Sequence, residues 1–371
     1  METKDYNFDK KLAEEFEKLK KEIQKPNILL AGATGVGKSS LINMIFGNDV
    51  AVVGTGKPVT QKIDVYESES TDVRIFDSKG YEIGEESDAE FFDSVVRLAE
   101  TTNTPENAIH LIWYCIACSN NRVTDYDLNA IQTFVNANIP VAVVFTKADL
   151  ASDEEVNDLK ASIPDMFPIF ETSTRLKQFN HLSELILWSI NVLPDSLQYA
   201  FIKSQKVSLE EKWNKAHRMI KQHCAAAFAV GFTPIPMSDA PILIANEMAL
   251  LARILHLYDL GKLTDVLKTT GMSSIFGALL SNGGKAIVGA LLKLIPGVGT
   301  IVGGLINGSV GAVVTAAFGE ATSKVAYTIC RAKLDGIVTD KMIKNFGESV
   351  SSLAKQYVKE NRKVDDYELL K

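Results

Sequence analysis

Apolar and polar positions alternate through the first half of the chain in a pattern that predicts strands separated by helices. From Asn27 onward the stretches between the apolar runs have the spacing of helices, and the runs themselves are NILLA, KIDVYES, DVRIF, IHLIWYCI, VAVVFT and PIFET. Such alternation is typical of an α/β protein with a mostly parallel sheet. We therefore predict a mostly parallel, six-stranded sheet with flanking helices.

Helical patterns lie on both sides of this region. Before Pro26, apolar residues recur at spacings of three and four and indicate an amphipathic helix: Phe8, Leu12, Phe16, Leu19 and Ile23. Strand patterns stop near Pro194, and from Ser196 onward nearly the whole chain has helical spacing. We expect an N-terminal amphipathic helix over residues 1–25, an α/β domain over 26–195 and an all-α domain over 196–371.

A segment without charged residues, Leu294 to Gly319, lies in the helical half. Its 26 residues exceed the about 20 that a helix needs to cross a bilayer. Pro296 and Gly297 interrupt it early, and its glycines and alanines suit close helix packing in a bundle equally well. We expect a buried or membrane-associating helical hairpin here, with a membrane-spanning helix as the alternative.

Composition narrows the choice of partners. The net charge of −7 argues against a broad polyanion-binding surface, so we do not expect nucleic acid as a partner. The four cysteines are too few for a disulfide framework, and the N-terminal residues lack the apolar core of a signal peptide. These features predict a cytoplasmic protein. The CxxC spacing of Cys115 and Cys118 falls in a buried strand pattern and has no second cysteine or histidine pair beside it.

The stretch GATGVGKS, Gly32 to Ser39, carries the clearest chemical signal. It matches GxxxxGKS, follows the strand NILLA and precedes the helical run SLINMIF. Glycines let successive backbone N–H groups turn inward toward phosphate oxygens, and the following helix adds its positive N-terminal dipole. Lys38 would reach the β and γ phosphates of a nucleotide, and Ser39 would donate its hydroxyl oxygen to Mg²⁺.

Two further motifs resemble those of a known family. TKAD, Thr146 to Asp149, resembles the guanine-reading NKxD element of Ras-like and translation-factor GTPases, and DSKG, Asp77 to Gly80, fits their DxxG element. With LIN after GKSS, the order and spacing resemble the Era and TrmE branch of translation-factor-related GTPases over residues 26–194. The resemblance implies a P-loop GTPase domain that binds GTP or GDP with Mg²⁺.

The resemblance also implies roles for individual residues. Asp149 would read guanine, Asp77 would hold Mg²⁺ through a water, and the Gly80 N–H would contact the γ phosphate. Thr60, with Thr55 as the alternative, would be the switch threonine. The implied catalytic residues are Lys38, Thr60 and Gly80, and the implied metal ligands are Ser39, Thr60 and Asp77. The implied nucleotide-binding residues are Thr34, Gly35, Val36, Gly37, Lys38, Ser39, Ser40, Asp77, Gly80, Thr146, Lys147, Asp149, Ser173 and Thr174.

The chain departs from the family pattern at three positions. Thr146 replaces the asparagine of NKxD, and Gly35 stands where K⁺-dependent members have an asparagine. Tyr81 stands where Ras has the glutamine that orients the attacking water. We therefore predict slow intrinsic GTP hydrolysis that rises on self-association or partner binding. Arg122 would be an arginine finger in a dimer, although a solvated loop arginine is the simpler interpretation.

The helical half leaves the biological role open. The stretch from Gly231 to Leu260 resembles the uncharacterised helical domain behind the G domain of some bacterial Era-like GTPases. Our leading hypothesis is a GTP-hydrolysing switch that repositions this domain, with residues 285–330 contacting a membrane surface or membrane protein and with nucleotide-dependent homodimerisation. The alternatives are a ribosome- or RNA-associated assembly GTPase and a self-assembling GTPase of the dynamin or immunity type.

Overall fold

The computed structural model describes residues 8–47, 57–60, 63–67, 71–78, 108–176, 180–230, 239–261 and 303–360. The chain divides into two compact units. The first, Ile23–Ser208, is called the sheet unit below. The second, Met1–Glu22 with Leu209–Lys371, is called the helical unit. The N-terminal helix α1, Phe8–Glu22, thus belongs to the helical unit.

The sheet unit contains a seven-stranded sheet in the order β2-β3-β4-β1-β5-β6-β7. Neighbouring strands from β4 through β7 are parallel, and the β2–β3 and β3–β4 pairs are antiparallel. The expected mostly parallel sheet is therefore present, with one short edge strand, β2, in addition. The strands are β1 Asn27–Ala31, β2 Lys57–Thr60, β3 Ile63–Glu67, β4 Arg74–Ser78, β5 Leu111–Ala117, β6 Val141–Thr146 and β7 Ile169–Glu171.

Helices flank the sheet, and two of them begin at capping boxes. Thr124 and Asp127 cap α3, and Ser152 and Glu155 cap α4. In each box the hydroxyl of the first residue accepts from the backbone N–H of the second, and the carboxylate of the second accepts from the backbone N–H of the first. In the described part of the sheet unit, the helices are α2 Lys38–Phe46, α3 Asp125–Asn136, α4 Asp153–Ala161, α5 Leu182–Val192 and α6 Asp195–Ser204. Short 3₁₀ turns follow β5 and β6, at Cys118–Asn120 and Ala148–Leu150.

The core of the sheet unit explains why it extends beyond residue 195. Trp113 of β5 packs against Phe46 and Phe201, with ring centroids 6.0 and 6.3 Å away. Helix α6 therefore supplies Phe201 to this core. The same helix ends at Ser204, whose hydroxyl accepts a hydrogen bond of 2.7 Å from Asp72 N. The expected boundary at residue 195 falls at the start of α6, whereas the compact unit continues to Ser208.

The helical unit is built around one long helix. Helix α9 packs along α7, α8 and α11, and α1 packs against α8. Among its described residues, the helices are α1, α7 Leu209–Val230, α8 Asp239–Leu257, α9 Gly303–Leu334, α10 Asp340–Lys344 and α11 Phe346–Glu360.

Part of the uncharged segment lies inside the helical unit. Thr315, Ala317 and Phe318 of α9 are buried. A Cβ on Gly319 would lie 2.8 Å from Ile220 Cγ1 and 3.0 Å from Leu250 Cδ2, so the glycine permits close packing on α7 and α8. Across the described ranges, no helix combines the length and the apolar character that crossing a membrane requires. The expected hairpin also includes residues 294–302, which lie outside the described residues.

Candidate nucleotide-binding site

The loop between β1 and α2 has the backbone shape that its glycines permit. Gly32, Gly35 and Gly37 have φ angles of +131°, +75° and +109°, a region that side chains with a Cβ rarely adopt. A Cβ on Gly32 would also lie 2.2 Å from the carbonyl oxygen of Cys115 on the neighbouring strand. The sequence GATGVGKS therefore forms a tight loop between the sheet and the N-terminus of α2, here called the phosphate loop.

Lys38 is held against this loop. Its side chain is buried, and Nζ donates to the carbonyl oxygens of Gly32 at 2.9 Å and Ala33 at 3.1 Å. Burial lowers the pKa of Lys38, and the nearby carboxylate of Asp77 partly opposes that shift. A cation that has lost much of its water interacts more strongly with an incoming anion.

A pocket of about 440 Å³ opens over the phosphate loop. Strands β1 and β4 are parallel neighbours with Leu30 opposite Asp77, so Asp77 lies at the same sheet edge as the loop. The hydroxyl of Ser39 and the carboxylate of Asp77 are the hard oxygen ligands that Mg²⁺ prefers. The pocket is lined by Thr34, Gly35, Gly37, Lys38, Ser39, Ser40, Tyr66, Asp77, Ser78 and Lys147.

Two residues that line the pocket were not among the expected site residues. Tyr66 lies on β3, which is antiparallel to β4, and Ser78 follows Asp77 at the end of β4. Tyr66 belongs to no nucleotide-binding motif, and Ser78 occupies one of the two variable positions of the DxxG element. Tyr66 reaches the pocket through the pairing of β3 with β4, where it lies opposite Ile75, and only that register could have indicated it.

The TKAD stretch is joined to the phosphate loop by hydrogen bonds. Thr146 ends β6, and its hydroxyl donates to Val36 O and lies 3.3 Å from Ile116 O. Lys147, with φ of +53°, donates from Nζ to Gly35 O at 2.8 Å. The threonine that replaces the family's asparagine therefore still contacts the phosphate loop.

Asp149 is positioned by the loop after β7. Ser173 Oγ donates to Asp149 Oδ1 at 2.7 Å, and it accepts the backbone N–H groups of Arg175 and Leu176, both at 3.0 Å. Thr172 also ties the two loops together, because its carbonyl oxygen accepts from Ala148 N at 3.1 Å. The structure thus brings Asp149 and Ser173 into contact, and it leaves the neighbouring Thr174 exposed.

Several expected site residues lie outside the described residues. Gly80, Tyr81 and Thr55 are among them. Thr60 is described by its backbone only; it ends β2 with its Cα paired to Ile63. The pocket therefore assembles two of the three expected metal ligands, Ser39 and Asp77, with their side chains.

The two cysteines of the CxxC stretch, Arg122 and two histidines are not among the residues that line the pocket over the phosphate loop. Cys115 and Cys118 are buried, and burial raises the pKa of each thiol to about 12, so neither is a reactive thiolate. His110 Nδ1 accepts from Asn27 N at 2.9 Å and His181 Nδ1 from Glu171 N at 3.3 Å. Arg122 is exposed and lines a separate pocket of about 450 Å³ that borders Ala33 and Val36.

Comparison with protein families points to the same part of the chain. Residues 27–147 match the family described as 50S ribosome-binding GTPase. The tRNA modification GTPase MnmE of Janthinobacterium sp. (strain Marseille) is 31% identical over 173 residues, which are 44% of this chain and 34% of MnmE. A protein named probable GTP-binding protein EngB, of Mycoplasmopsis synoviae (strain 53), is 27% identical over 151 residues, covering 41% of this chain and 75% of EngB.

A solved structure matches over a similar portion. The crystal structure of a probable GTP-binding protein engB aligns with a TM-score of 0.32 and 21% identity, over 45% of this chain and 97% of that one. The chain spans about a third of the length of the MnmE relatives that it matches, and the family match ends at residue 147, before the helices of the helical unit that follow Ser208. Residues 27–147 therefore belong to a P-loop GTPase G domain with homology to MnmE and EngB.

Proposed function

We propose that the protein hydrolyses GTP to GDP and phosphate and uses the bound nucleotide as a switch that repositions its helical unit. The observation that supports this most is one connected set of contacts. The phosphate loop contacts Thr146 and Lys147 directly, and Asp149 of the same stretch contacts Ser173. Phosphate-binding and base-reading elements are thus parts of one hydrogen-bonded structure.

At the phosphate end, the backbone N–H groups of Thr34 to Ser40 would surround the β phosphate. Lys38 Nζ would replace its hydrogen bonds to the two loop carbonyl oxygens with bonds to β- and γ-phosphate oxygens. Ser39 and Thr60 would hold Mg²⁺ directly and Asp77 would hold it through a water. When bound, Mg²⁺ would supply positive charge that offsets the negative charge of the phosphates.

At the base end, Asp149 would select guanine. Its carboxylate can accept the N1 proton and an exocyclic amino proton of guanine, and adenine offers no such pair of donors. The hydrogen bond from Ser173 fixes one carboxylate oxygen and so orients the other. A backbone N–H near Ser173 or Thr174 would contact guanine O6.

Hydrolysis itself would be slow without help. Tyr81 has no side-chain amide to orient the attacking water. Gly35 has no side chain, so it cannot supply the K⁺ ligand that an asparagine provides in K⁺-dependent members of the family. The Gly80 N–H would register the γ phosphate, so this loop would respond to hydrolysis. We propose that self-association as a nucleotide-dependent homodimer, or binding of a partner protein, completes the site.

A substitution at Asp149 tests the proposed selection of guanine. In Asp149→Asn the amide nitrogen would face the guanine donors, so GTP affinity should fall roughly 10- to 100-fold, as about 1–3 kcal/mol is lost when a buried donor has no partner. Affinity for xanthosine triphosphate should rise, because the amide donates to the xanthine 2-oxygen. Equilibrium binding of fluorescent GTP and XTP analogues measures both changes.

The matched control is Asp153→Asn, an exposed first-turn residue of α4, which should bind like the wild type. Unchanged preference for GTP in Asp149→Asn would contradict the assignment. A single-turnover hydrolysis assay on dilute, monomeric wild-type protein tests the rate, and fast turnover there would rule out the dependence on a partner.

A further inference from the structure

The helical unit has an exposed apolar corner between α9 and α10. Leu334, Ile337 and Val338 expose 59%, 65% and 37% of their surface. All residues from Lys333 to Asp340 are exposed. We call residues 331–345, which include this corner and the short helix α10, the α9–α10 corner. Isolated exposed apolar residues are common, but three within five positions form a patch.

The backbone of this corner is well defined. Gly336 has φ of +71°, Ile337 N donates to Ala332 O at 2.8 Å, and Gly336 N donates to Lys333 O at 3.3 Å. These bonds form a Schellman motif, in which the residue after the glycine usually packs back on the helix. Here that residue is Ile337, which stays largely exposed. The Ile337 side chain is therefore exposed to solvent, although in most Schellman motifs the corresponding side chain packs against the helix.

Helix α10 completes the corner. Thr339 Oγ1 accepts from Met342 N at 3.3 Å and caps α10. The exposed apolar residues therefore lie between two helix ends that each have their own backbone hydrogen bonds. A fixed presentation of this kind lowers the entropy lost when a partner covers the patch.

Cations surround the apolar residues. Arg331 and Lys333 lie before them and Lys341 and Lys344 after them, while the acids in the same stretch are Asp335 and Asp340. Asp335 is 3.4 Å from Arg331, so part of the acidic charge is already paired. The α9–α10 corner therefore has a net positive charge, whereas the whole chain has a net charge of −7.

We propose that the α9–α10 corner attaches the protein to the surface of an anionic lipid bilayer. Leu334, Ile337 and Val338 would enter the boundary between headgroups and acyl chains, and the flanking lysines would contact lipid phosphates. A stable protein interface buries about 800 Å² on each partner, which is much more than three side chains provide. A small apolar tip with cations on both sides fits a bilayer surface better.

This attachment differs from membrane insertion through residues 285–330. It requires no spanning helix, and it does not depend on the proposed GTPase activity. The two proposals can therefore fail separately, because Asp149→Asn alters nucleotide binding and leaves the α9–α10 corner unchanged.

Vesicle co-sedimentation of the full chain tests the proposal. Wild-type protein should sediment with vesicles of phosphatidylcholine and phosphatidylserine and not with phosphatidylcholine alone. Binding should fall as salt rises, because screening weakens contacts with charged headgroups. The triple variant Leu334→Ser, Ile337→Ser, Val338→Ser should bind roughly tenfold less, since it lacks the apolar contact. Lys341→Glu with Lys344→Glu should also lose binding.

Leu187→Ser is the matched control, because Leu187 is 47% exposed on α5 of the sheet unit; it should bind like the wild type. Circular dichroism should show unchanged helix content in every variant, as the altered residues are exposed. Equal binding to both vesicle types, binding to neither, or undiminished binding by a folded triple variant would each overturn the proposal. Asp149→Asn should bind vesicles normally.

Discussion

Thr146 shows how a single residue can depart from a motif and keep part of its structural role. Its hydroxyl donates to Val36 O and lies near Ile116 O, so β6 contacts both the phosphate loop and β5. The side chain is 2% exposed, and in that environment an unpaired loop carbonyl would cost about 1–3 kcal/mol. The asparagine-to-threonine change therefore alters the amide chemistry of the motif but not the support of the loop.

Glu247 is a residue of a different kind, a carboxyl group buried in the helical unit. Its Oε1 accepts from the Thr315 hydroxyl, which joins α8 to α9. Burial raises the pKa of Glu247 from 4.5 to about 7, and the Thr315 bond opposes this shift. Because the folded state holds the proton more tightly than the unfolded state, the contribution to stability is present below pH 4.5 and is lost as the pH rises through 7.

Glu247→Gln should remove this pH dependence. Glutamine keeps the size of the neutral acid and can still accept from Thr315. From pH 5 to pH 8 the free energy of unfolding of the wild-type helical unit should fall by up to about 3 kcal/mol relative to the variant. Urea unfolding at both pH values measures this. The exposed Glu348→Gln is the control, and equal pH slopes in Glu247→Gln and wild type would contradict the prediction.

At the scale of elements, local patterns predicted most of the sheet. Each of the six expected apolar runs overlaps one of the strands β1 and β3 to β7. Strands β1, β5 and β6 are buried along their whole length, and such strands have a nearly continuous apolar sequence. Strand β2, KPVT, was missed. It is a four-residue edge strand that contains a proline and a lysine, and such residues are typical of edges and carry no strand pattern.

Elements whose positions depend on distant contacts were harder to predict. The phosphate loop and TKAD are local motifs, and their sequence spacing was sufficient to identify them. The pocket residue Tyr66 depends on the register of β3 with β4, and the assignment of α6 to the sheet unit depends on Phe201 meeting Trp113. Such contacts join residues far apart in sequence, so no local period indicates them.

Close packing of α9 on α7 and α8 gives a prediction at this scale. Gly319→Ala would place a Cβ 2.8 Å from Ile220 and 3.0 Å from Leu250. Overpacking of this kind destabilises by about 1–3 kcal/mol, which exceeds the about 1 kcal/mol that alanine gains over glycine in a helix. The helical unit should therefore unfold at lower urea concentration.

Gly261→Ala provides the matched comparison. A Cβ there would meet only the Phe16 ring edge at 3.4 Å, which is ordinary contact, so its unfolding midpoint should stay close to that of the wild type. A Gly319→Ala protein at least as stable as Gly261→Ala would show that α9 does not pack closely at this position.

At the scale of the whole molecule, each unit has its own core. In the sheet unit Phe46, Trp113 and Phe201 pack together. In the helical unit Tyr258 and Phe318 are buried, and the Tyr258 hydroxyl lies 3.2 Å from Ser323 Oγ. Units with separate cores can open separately. All the expected nucleotide-binding residues, from Thr34 to Thr174, fall within the sheet unit.

This separation allows the switch proposal to be tested by hydrogen exchange in the full chain. A ligand that binds only the folded G domain stabilises it by about 2.7 kcal/mol at a hundredfold excess over its Kd, so residues 108–176 should exchange more slowly with either GDP or a non-hydrolysable GTP analogue. That result alone requires only binding. A switch requires the two nucleotides to differ in their effect on the helical unit, because a ligand can shift an equilibrium only by its differential affinity for the two states.

We therefore expect exchange in residues 303–360 to differ between the GTP-analogue and GDP samples. Lys38→Ala should abolish the difference, because Lys38 is the phosphate-loop cation, while Lys324→Ala on α9 should preserve it. If 108–176 are protected by both nucleotides and 303–360 exchange identically, the protein binds nucleotide without signalling to its helical unit. The nucleotide-binding assignment would then stand, and the switch would have to be abandoned.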